Sequence, residues 1–190
     1  MNYTVFIPTA GIGSRLGDET RNINKSLVAA NNKPIISHQI SLFPSDTNFV
    51  IALGHKGNLV KEFLNLTYPK YKFSFVNVNP YEGKGSGLGF TLVSCKKYLM
   101  RPFIFMSCDT LVTKKIPPPD HDWMFYSNVK NISEYRSLEV KKGTITNIFE
   151  KGRSDKKLKA YTGLAGIYSY EQFWSEMLNG GKKVIEQGES

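Results

Sequence analysis

The sequence predicts an α/β fold in which a doubly wound mixed sheet carries helices on both faces. Up to residue 110, short apolar runs alternate with helical patterns, which is typical of parallel strands joined by helical crossovers. After the Pro-rich run at residues 116–119, strand-like segments follow one another with little helix between them. A chain of 190 residues suits one domain with a real core. We therefore expect a single domain over residues 1–190, with a first half (1–115) and a strand-rich second half (116–190).

The first predicted elements flank a glycine-containing loop. The apolar run Val5-Phe6-Ile7-Pro8 predicts a strand over residues 3–7. Residues 25–30 are expected to be a short extended segment, and Asn31-Asn32 a turn. Because proline fits the first turn of a helix, Pro34 predicts a helix that runs to about residue 43.

Further strands and helices complete the first half. Residues 48–53 are predicted to form a buried strand. The helix predicted over residues 58–66 has Leu59, Phe63 and Leu66 on one face. The remaining elements are an alternating strand at 72–78, a helix at 88–98 and a buried strand at 103–107.

The second half contains four strand-like segments and a closing helix. Lys142-Gly143 predicts the turn of a hairpin between two of these strands. The predicted strands are residues 123–126, 137–140, 144–149 and 161–168, and the predicted helix is residues 170–178.

The composition excludes several classes of protein. Hydrophobic residues make up 41% of the chain and aromatic residues 13%, so a disordered chain is not expected. Cys95 and Cys108 are too few for a disulfide scaffold and too isolated for a zinc site. No apolar run is long enough to span a membrane, and the N-terminus lacks the features of a signal peptide. We therefore expect reduced thiols, a cytoplasmic location and no membrane partner.

The net charge of +9 indicates a negatively charged partner, and nucleic acid is one alternative to a nucleotide. The cations are spread over lysine doublets rather than gathered in one dense stripe, so most are interpreted as solvated and no nucleic acid is expected. Residues 151–159 are the part that we interpret as functional. The doublets are Lys96-Lys97, Lys114-Lys115, Lys141-Lys142, Lys156-Lys157 and Lys182-Lys183.

The loop after the first predicted strand has the composition of a phosphate-binding loop. It reads Thr-Ala-Gly-Ile-Gly-Ser-Arg-Leu over residues 9–16, and Lys25 follows. Glycine lets the backbone approach an anion so that N–H groups converge on it, and Arg15 and Lys25 add positive charge. The spacing fits neither a dinucleotide fingerprint, because Leu16 stands where the third glycine is required, nor a Walker A loop. A glycine-rich loop alone is also compatible with a simple tight turn.

Asp109 follows the last buried strand of the first half. A carboxylate in this position is either a turn cap or a metal ligand. Because the strand end faces the same edge of the sheet as the glycine loop, we favour magnesium. This ion takes one or two carboxylates together with phosphate oxygens and water. The neighbouring Cys108 is expected to lie in the core.

Segments spread over most of the chain resemble, in order, the nucleotidyltransferase superfamily. That superfamily includes sugar-1-phosphate nucleotidyltransferases and bacterial phosphocholine cytidylyltransferases. The resemblance of this chain to it implies a Rossmann-like sheet of the nucleotide-diphospho-sugar transferase type. Residues 79–89 are similar to a branch found in capsule and surface-glycan gene clusters, which includes a CTP:phosphoglutamine cytidylyltransferase. The matching segments are residues 8–16, 25–28, 32–36, 103–109, 149–151 and 162–168.

The resemblance implies roles for particular residues. Arg15 is expected to hold the β- and γ-phosphates, Lys25 to stabilise charge on the α-phosphate, and Asp109 to bind the cofactor Mg²⁺. The other implied nucleotide-binding residues are Ala10, Gly11, Ile12, Gly13, Ser14, Asn79, Glu82, Gly83 and Gly87. The implied acceptor-binding residues are Glu150, Lys151, Thr162 and Gly163.

Three functions remain open at this point. We favour transfer of CMP from CTP to a small phosphorylated acceptor, such as phosphoglutamine or a similar precursor for capsule modification. The first alternative is a sugar-1-phosphate nucleotidyltransferase that uses UTP, dTTP or another triphosphate. The second alternative is a basic module that binds nucleic acid. The sequence identifies neither the acceptor nor the oligomeric state.

The resemblance also implies a second metal-binding aspartate, on a strand after the Thr-Gly segment. The chain after Tyr168 offers no aspartate. We expect either that the protein continues past Ser190 and supplies this carboxylate, or that Asp109 acts alone. The acidic residues after Tyr168 are Glu171 and Glu176, on a helix expected to face away from the site, and Glu186 and Glu189.

Overall fold

The computed structural model describes residues 2–181, which form an eight-stranded mixed sheet with helices on both faces and a separate two-stranded ribbon. In chain order the elements are β1 Thr4–Pro8, β2 Ala29–Ala30, β3 Lys33–Pro34, α1 Ile35–Ile40, β4 Asn48–Leu53, α2 Gly57–Thr67, β5 Lys72–Asn77, α3 Leu88–Cys95, β6 Phe103–Met106, β7 Trp123–Ser127, β8 Ser137–Lys141, β9 Thr144–Phe149, β10 Lys159–Ile167 and α4 Tyr170–Asn179. The strand order in the large sheet is β5-β4-β1-β6-β10-β8-β9, and β7 also pairs with β10.

The first half supplies the parallel part of this sheet. β1 pairs in parallel with β4 on one side and β6 on the other, and β5 pairs with β4. Thr4 is aligned with both Asn48 and Phe103, so these strands begin at the same level. Their carboxyl ends therefore lie at one edge of the sheet, as the alternating pattern predicts.

The second half adds antiparallel strands around β10. The carboxyl half of β10 pairs with β6, and its amino half pairs with β8 through Ala160 and Ser137. β7 lies along the other side of β10. β6 and β8 thus follow one another along the same side of a single strand, and this arrangement brings the two halves of the chain together.

The core has two layers, one on each face of the sheet. On one face, Ile36 and Ile40 of α1 and Val60 and Leu64 of α2 pack against the side chains of the parallel strands. On the other face, α3 and α4 pack against the sheet, and the Trp174 indole donates a hydrogen bond to the Leu99 carbonyl oxygen at 3.1 Å.

The prediction for residues 25–30 is wrong in part. Lys25–Leu27 is a 3₁₀ turn, and only Ala29–Ala30 is extended. The Asn24 side chain accepts a hydrogen bond from the Ser26 N–H at 2.9 Å and so caps the turn. A capped N–H favours a helical turn over an extended backbone.

The apolar stripe of Leu59, Phe63 and Leu66 on α2 is not the one that is most deeply buried. Leu59 and Leu66 are 41% and 83% exposed, whereas Val60 and Leu64 are buried. Both pairs have helical spacing, and the stripe that includes Val60 and Leu64 is the one that meets the sheet. Periodicity shows that a helix is amphipathic but does not show which stripe packs when two are available.

Among residues 2–181, no helix combines the length and the apolar character needed to cross a membrane.

Candidate active site

The loops that follow the four parallel strands meet at one edge of the sheet. They are residues 9–13 after β1, Gly54 and His55 after β4, residues 79–87 after β5, and the turn that contains Asp109 after β6. In open α/β sheets this edge is where ligands bind.

Backbone contacts hold the glycine loop against the end of β4. Thr9 donates to the Ala52 carbonyl oxygen from its N–H at 3.0 Å and from its hydroxyl at 2.7 Å. The His55 N–H donates to the Ala10 carbonyl oxygen at 2.9 Å. A Cβ atom on Gly54 would lie 2.4 Å from that oxygen, so only glycine fits there. Ala10 is buried as a whole, and its carbonyl oxygen is occupied by the contact with His55.

Gly13 lets Lys25 lie directly against the loop. Gly13 has a left-handed backbone with φ of +71°, and the 3₁₀ segment Ser14–Thr20 follows it. A Cβ atom on Gly13 would lie 3.0 Å from the Thr20 side chain and 3.1 Å from Cβ of Lys25. Ile12 before Gly13, and Ser14 and Arg15 after it, are exposed.

Lys25 and Asp109 meet between the glycine loop and the end of β6. The distance from Lys25 Nζ to Asp109 Oδ2 is 2.5 Å, and the two side chains are 22% and 44% exposed. These residues are 84 positions apart in the chain. The fold therefore brings together two of the three residues predicted as catalytic, and the third, Arg15, lies exposed at the start of the Ser14–Thr20 segment.

Gln39 holds the turn that carries Asp109. Its side-chain amide is fully buried and donates to the carbonyl oxygens of Ser107 at 2.7 Å and Thr110 at 2.9 Å. The sequence analysis missed this residue. A glutamine between Ile36 and Ile40 on the buried face of a helix is the signal that identifies it, because a buried polar side chain needs a partner.

β10 contacts the same turn from the other side. The Ser107 N–H donates to the Gly163 carbonyl oxygen at 2.8 Å, and the Thr110 hydroxyl donates to the Thr162 carbonyl oxygen at 2.6 Å. Gly163 has φ of +76°, and a Cβ atom there would lie 2.5 Å from Ser107 Oγ. The two β10 residues predicted to bind the acceptor thus lie directly beside the Asp109 turn.

The other two residues predicted to bind the acceptor, Glu150 and Lys151, lie near the amino end of β10. Glu150, at the end of β9, accepts a hydrogen bond from Arg136 Nε at 3.1 Å, while Lys151 is exposed. The Arg136 carbonyl oxygen accepts from the Tyr161 N–H at 2.9 Å. Tyr161 and Gly163 are two residues apart on β10, so Arg136 and the Asp109 turn are bonded to the same short stretch of this strand. The sequence analysis missed Arg136.

Arg136 also faces a large cavity of about 1100 Å³ on the α3 side of the sheet. Leu88, the first residue of α3, lines the cavity, whereas Lys25 and Asp109 do not. The walls are mainly apolar, and they include Leu88, Leu92, Phe105, Tyr126, Ile148 and Tyr161.

Solved structures of other proteins share this architecture. A solved structure described as a glucose-1-phosphate thymidylyltransferase from Bacillus anthracis matches with a TM-score of 0.76 and 19% identity, over 93% of this chain and 75% of that one. The CTP:phosphocholine cytidylyltransferase LicC of Streptococcus pneumoniae matches with a TM-score of 0.73 and 19% identity, over 93% of this chain and 76% of that one. The chain has the nucleotidyltransferase fold. The predicted Rossmann-like mixed sheet with helices on both faces is therefore confirmed.

The sequence relationship that accompanies this nucleotidyltransferase fold is distant. The bifunctional protein GlmU of Methanococcus vannielii is 24% identical over 180 residues, which cover 89% of this chain. The chain spans 41% of the length of that protein. No family model matches the chain.

Asp109 is a carboxylate at this strand edge that could hold a divalent ion. Among residues 2–181 there is no group of three or more His, Cys, Asp or Glu side chains that could hold a metal. One carboxylate fits Mg²⁺, which keeps phosphate oxygens and water as its other ligands. Burial raises the pKa of the neighbouring Cys108 thiol to about 12, so this thiol is protonated at neutral pH.

The acidic residues of α4 lie away from this edge. β10 runs antiparallel to β6, so α4 begins at the opposite edge of the sheet, and Glu171 and Glu176 are exposed on it. Glu186 and Glu189, like the doublet Lys182-Lys183, lie outside the described residues.

Proposed function

We propose that this chain is a Mg²⁺-dependent nucleotidyltransferase that transfers a nucleoside monophosphate to a small phosphorylated acceptor and releases pyrophosphate. The observation that carries the proposal is the contact between Lys25 and Asp109 beside the glycine loop, at the edge where four parallel strands end. A cation, a carboxylate and a loop rich in backbone N–H groups at one place suit a triphosphate with its metal.

The reaction needs no protein nucleophile. An oxygen of the acceptor phosphate forms a bond to the α-phosphorus, the bond between this phosphorus and the bridging β-oxygen breaks, and pyrophosphate leaves. The protein has to align two anions and neutralise the charge that develops on the α-phosphate. Bound Mg²⁺ supplies charge neutralisation and orients the phosphate oxygens.

The chain's own residues divide this task. The amides of residues 11–14 and the exposed Arg15 bind the β- and γ-phosphates, and Lys25 neutralises the α-phosphate. Asp109 holds the divalent ion, and its turn is fixed by Gln39. Triphosphate binding separates Lys25 from Asp109, since the ammonium group then contacts phosphate oxygens in place of the carboxylate.

The acceptor half lies along β10. Lys151 holds the acceptor phosphate, and Glu150 orients the Arg136 guanidinium through its Nε contact. The backbone of Thr162 and Gly163 connects this half to the Asp109 turn. Arg136 adds a second cation, bonded to Glu150 next to Lys151 in the chain, and a guanidinium fork matches a phosphate or carboxylate well.

CTP is the triphosphate that we favour, and a phosphoglutamine-like acceptor from capsule or surface-glycan modification is the acceptor class. The support is the resemblance of residues 79–89 to the capsule-cluster branch, together with the likeness to a CTP:phosphocholine cytidylyltransferase. The exposed Asn79 amide at the end of β5 can pair with the N4 amino group and N3 of cytosine. The likeness to a glucose-1-phosphate thymidylyltransferase supports the alternative, a sugar-1-phosphate nucleotidyltransferase.

A panel of triphosphates tests the proposal. The melting temperature is measured with CTP, UTP, ATP and GTP, each with Mg²⁺, and the largest increase is expected with CTP. Pyrophosphate release is then measured with phosphoglutamine, phosphocholine and glucose 1-phosphate. A larger response to UTP with turnover of glucose 1-phosphate would favour the sugar-1-phosphate alternative. No response to any triphosphate, with salt-sensitive RNA binding, would indicate a nucleic-acid module.

The loop between β5 and α3 is expected to become ordered when nucleotide binds. Gly83 and Gly85 have φ of +74° and +86°. Within the loop, the Ser86 hydroxyl donates a hydrogen bond to the Gly83 carbonyl oxygen at 2.7 Å. Glycines lose much backbone entropy when fixed, so the free loop exchanges its amides readily. Hydrogen exchange over residues 82–89 should slow on addition of CTP and Mg²⁺, and equal exchange in both states would rule out a lid.

Arg136→Met is expected to weaken acceptor binding without affecting the triphosphate. Loss of charge-assisted hydrogen bonds should raise the KM for the acceptor about 10- to 100-fold. The KM for CTP should stay unchanged, because Arg136 lies in the acceptor half. Steady-state pyrophosphate release measures both constants. Arg101→Met, at the opposite edge of the sheet beside Thr4 and Asn48, is the matched control. An unchanged acceptor KM in Arg136→Met would remove Arg136 from the acceptor site.

A further inference from the structure

Asn24 joins the three chain segments that surround Lys25. Its side-chain amide is fully buried and donates to the Thr9 carbonyl oxygen at 2.8 Å and to the His55 carbonyl oxygen at 2.6 Å. Its Oδ1 atom accepts from the Ser26 N–H at 2.9 Å and from the Ser26 hydroxyl at 2.8 Å. An asparagine side chain has two donor hydrogens and two acceptor lone pairs, so its full capacity is used.

We infer that Asn24 is a positioning residue for nucleotidyl transfer, because it fixes the Lys25 turn to the glycine loop and to the end of β4. The inference rests on the proposed function and adds a residue to which neither the sequence motifs nor the comparisons assign a role. Asn24 itself is fully buried and acts through Lys25.

The geometry explains why Lys25 needs this support. Lys25 is the first residue of the 3₁₀ turn, and the Leu27 N–H donates to the Asn24 carbonyl oxygen at 2.9 Å. The Lys25 Cβ atom lies so close to Gly13 that a Cβ atom added to Gly13 would be 3.1 Å away. Lys25 therefore packs directly against the glycine loop, and a small displacement of the turn changes this packing. A lysine side chain is long and flexible, and the position of its ammonium group depends on a backbone that does not move.

No other side chain reproduces the four contacts. Aspartate has the same shape but no amide hydrogens, so it would place a carboxylate oxygen against the carbonyl oxygens of Thr9 and His55. Serine caps the first N–H of a helical turn well, yet it is too short to reach those two carbonyl oxygens. Asn24→Ser therefore keeps the cap on Ser26 and removes the connection to the two loops, which separates local turn stability from positioning.

The test compares Asn24→Asp and Asn24→Ser with the wild type and with Lys25→Ala. In either Asn24 variant, kcat for pyrophosphate release is expected to fall about 10²-fold, as for a small misplacement of a reacting group. The KM for CTP should change little. In the Lys25→Ala background, either substitution should lower kcat by less than about threefold further, because the group that Asn24 positions is already absent.

The controls separate this inference from the proposed function and from unfolding. Asn65→Asp makes the same chemical change at an exposed residue of α2 and should leave kcat unchanged. If Asn24→Asp does not fold, Asn24→Ser with a melting temperature close to that of the wild type supplies the result. If the Asn24 and Lys25 substitutions reduce kcat independently, so that the two factors multiply in the double variant, the inference is overturned while the proposed function stands. A normal kcat in a folded Asn24→Ser variant has the same meaning. A wild-type chain that releases no pyrophosphate would overturn both.

Discussion

Asp109→Ala is expected to abolish pyrophosphate release and to leave the fold intact. The carboxylate is the group at the strand edge proposed to hold the divalent ion, and without it the charge of the triphosphate is not neutralised for attack. We expect a loss of kcat of about 10³-fold or more, as for removal of a main electrostatic contact. The Lys25–Asp109 pair is partly exposed, so its removal should change stability by about 1 kcal/mol or less.

Two measurements are needed for this variant. Pyrophosphate release is followed at saturating Mg²⁺, and circular dichroism melting reports the fold. Asp120→Ala removes an exposed carboxylate that is paired with His121, beyond the site, and should retain full turnover. Near wild-type turnover by Asp109→Ala at saturating Mg²⁺ would mean that the metal is held elsewhere.

Lys25→Ala is expected to lower kcat more than it weakens triphosphate binding. The ammonium group is proposed to neutralise charge that develops at the α-phosphate, and a contact made mainly in the transition state affects kcat. Loss of one such contact should cost about 10²- to 10³-fold in kcat. The KM for CTP and the affinity for CTP measured by calorimetry should change far less.

Lys33→Ala provides a comparison for this variant. Lys33 is a partly exposed lysine whose ammonium group contacts the Ser41 hydroxyl at 3.0 Å, and its loss should leave kcat unchanged. If Lys25→Ala raises the KM for CTP and keeps kcat, Lys25 is a ground-state contact of the triphosphate instead.

Regular elements could be predicted from the sequence because their signals are local. The strand at Asn48–Leu53 is a continuous apolar run, and the structure buries five of its six residues. The strand at Thr144–Phe149 is equally well predicted, since Lys142 and Gly143 take the positive φ values of a tight hairpin turn before it.

The polar connections of the site could not be predicted in the same way. Gln39, Asn24 and Arg136 each act through partners that are distant in the chain or contributed by the backbone. The place of Gln39 on the buried face of α1 shows that its side chain needs a partner, but nothing in the local sequence shows that the partner is the turn after β6. Phosphate-loop composition points to Lys25, whereas the contact between Lys25 and Asp109 depends on the strand order.

The path of β10 has a consequence for how two substrates bind to one site. The Tyr161 N–H donates a hydrogen bond to the Arg136 carbonyl oxygen. The next two residues, Thr162 and Gly163, accept hydrogen bonds from the Asp109 turn at their carbonyl oxygens. Three consecutive residues of one strand thus connect the proposed acceptor half to the Asp109 turn, and a ligand that displaced the strand in one half would displace it in the other. Thermodynamic linkage makes this effect reciprocal: the factor by which the acceptor changes triphosphate affinity equals the factor by which the triphosphate changes acceptor affinity. If the proposed function holds, cooperation between the two substrates would come from this shared backbone and would require no separate effector site.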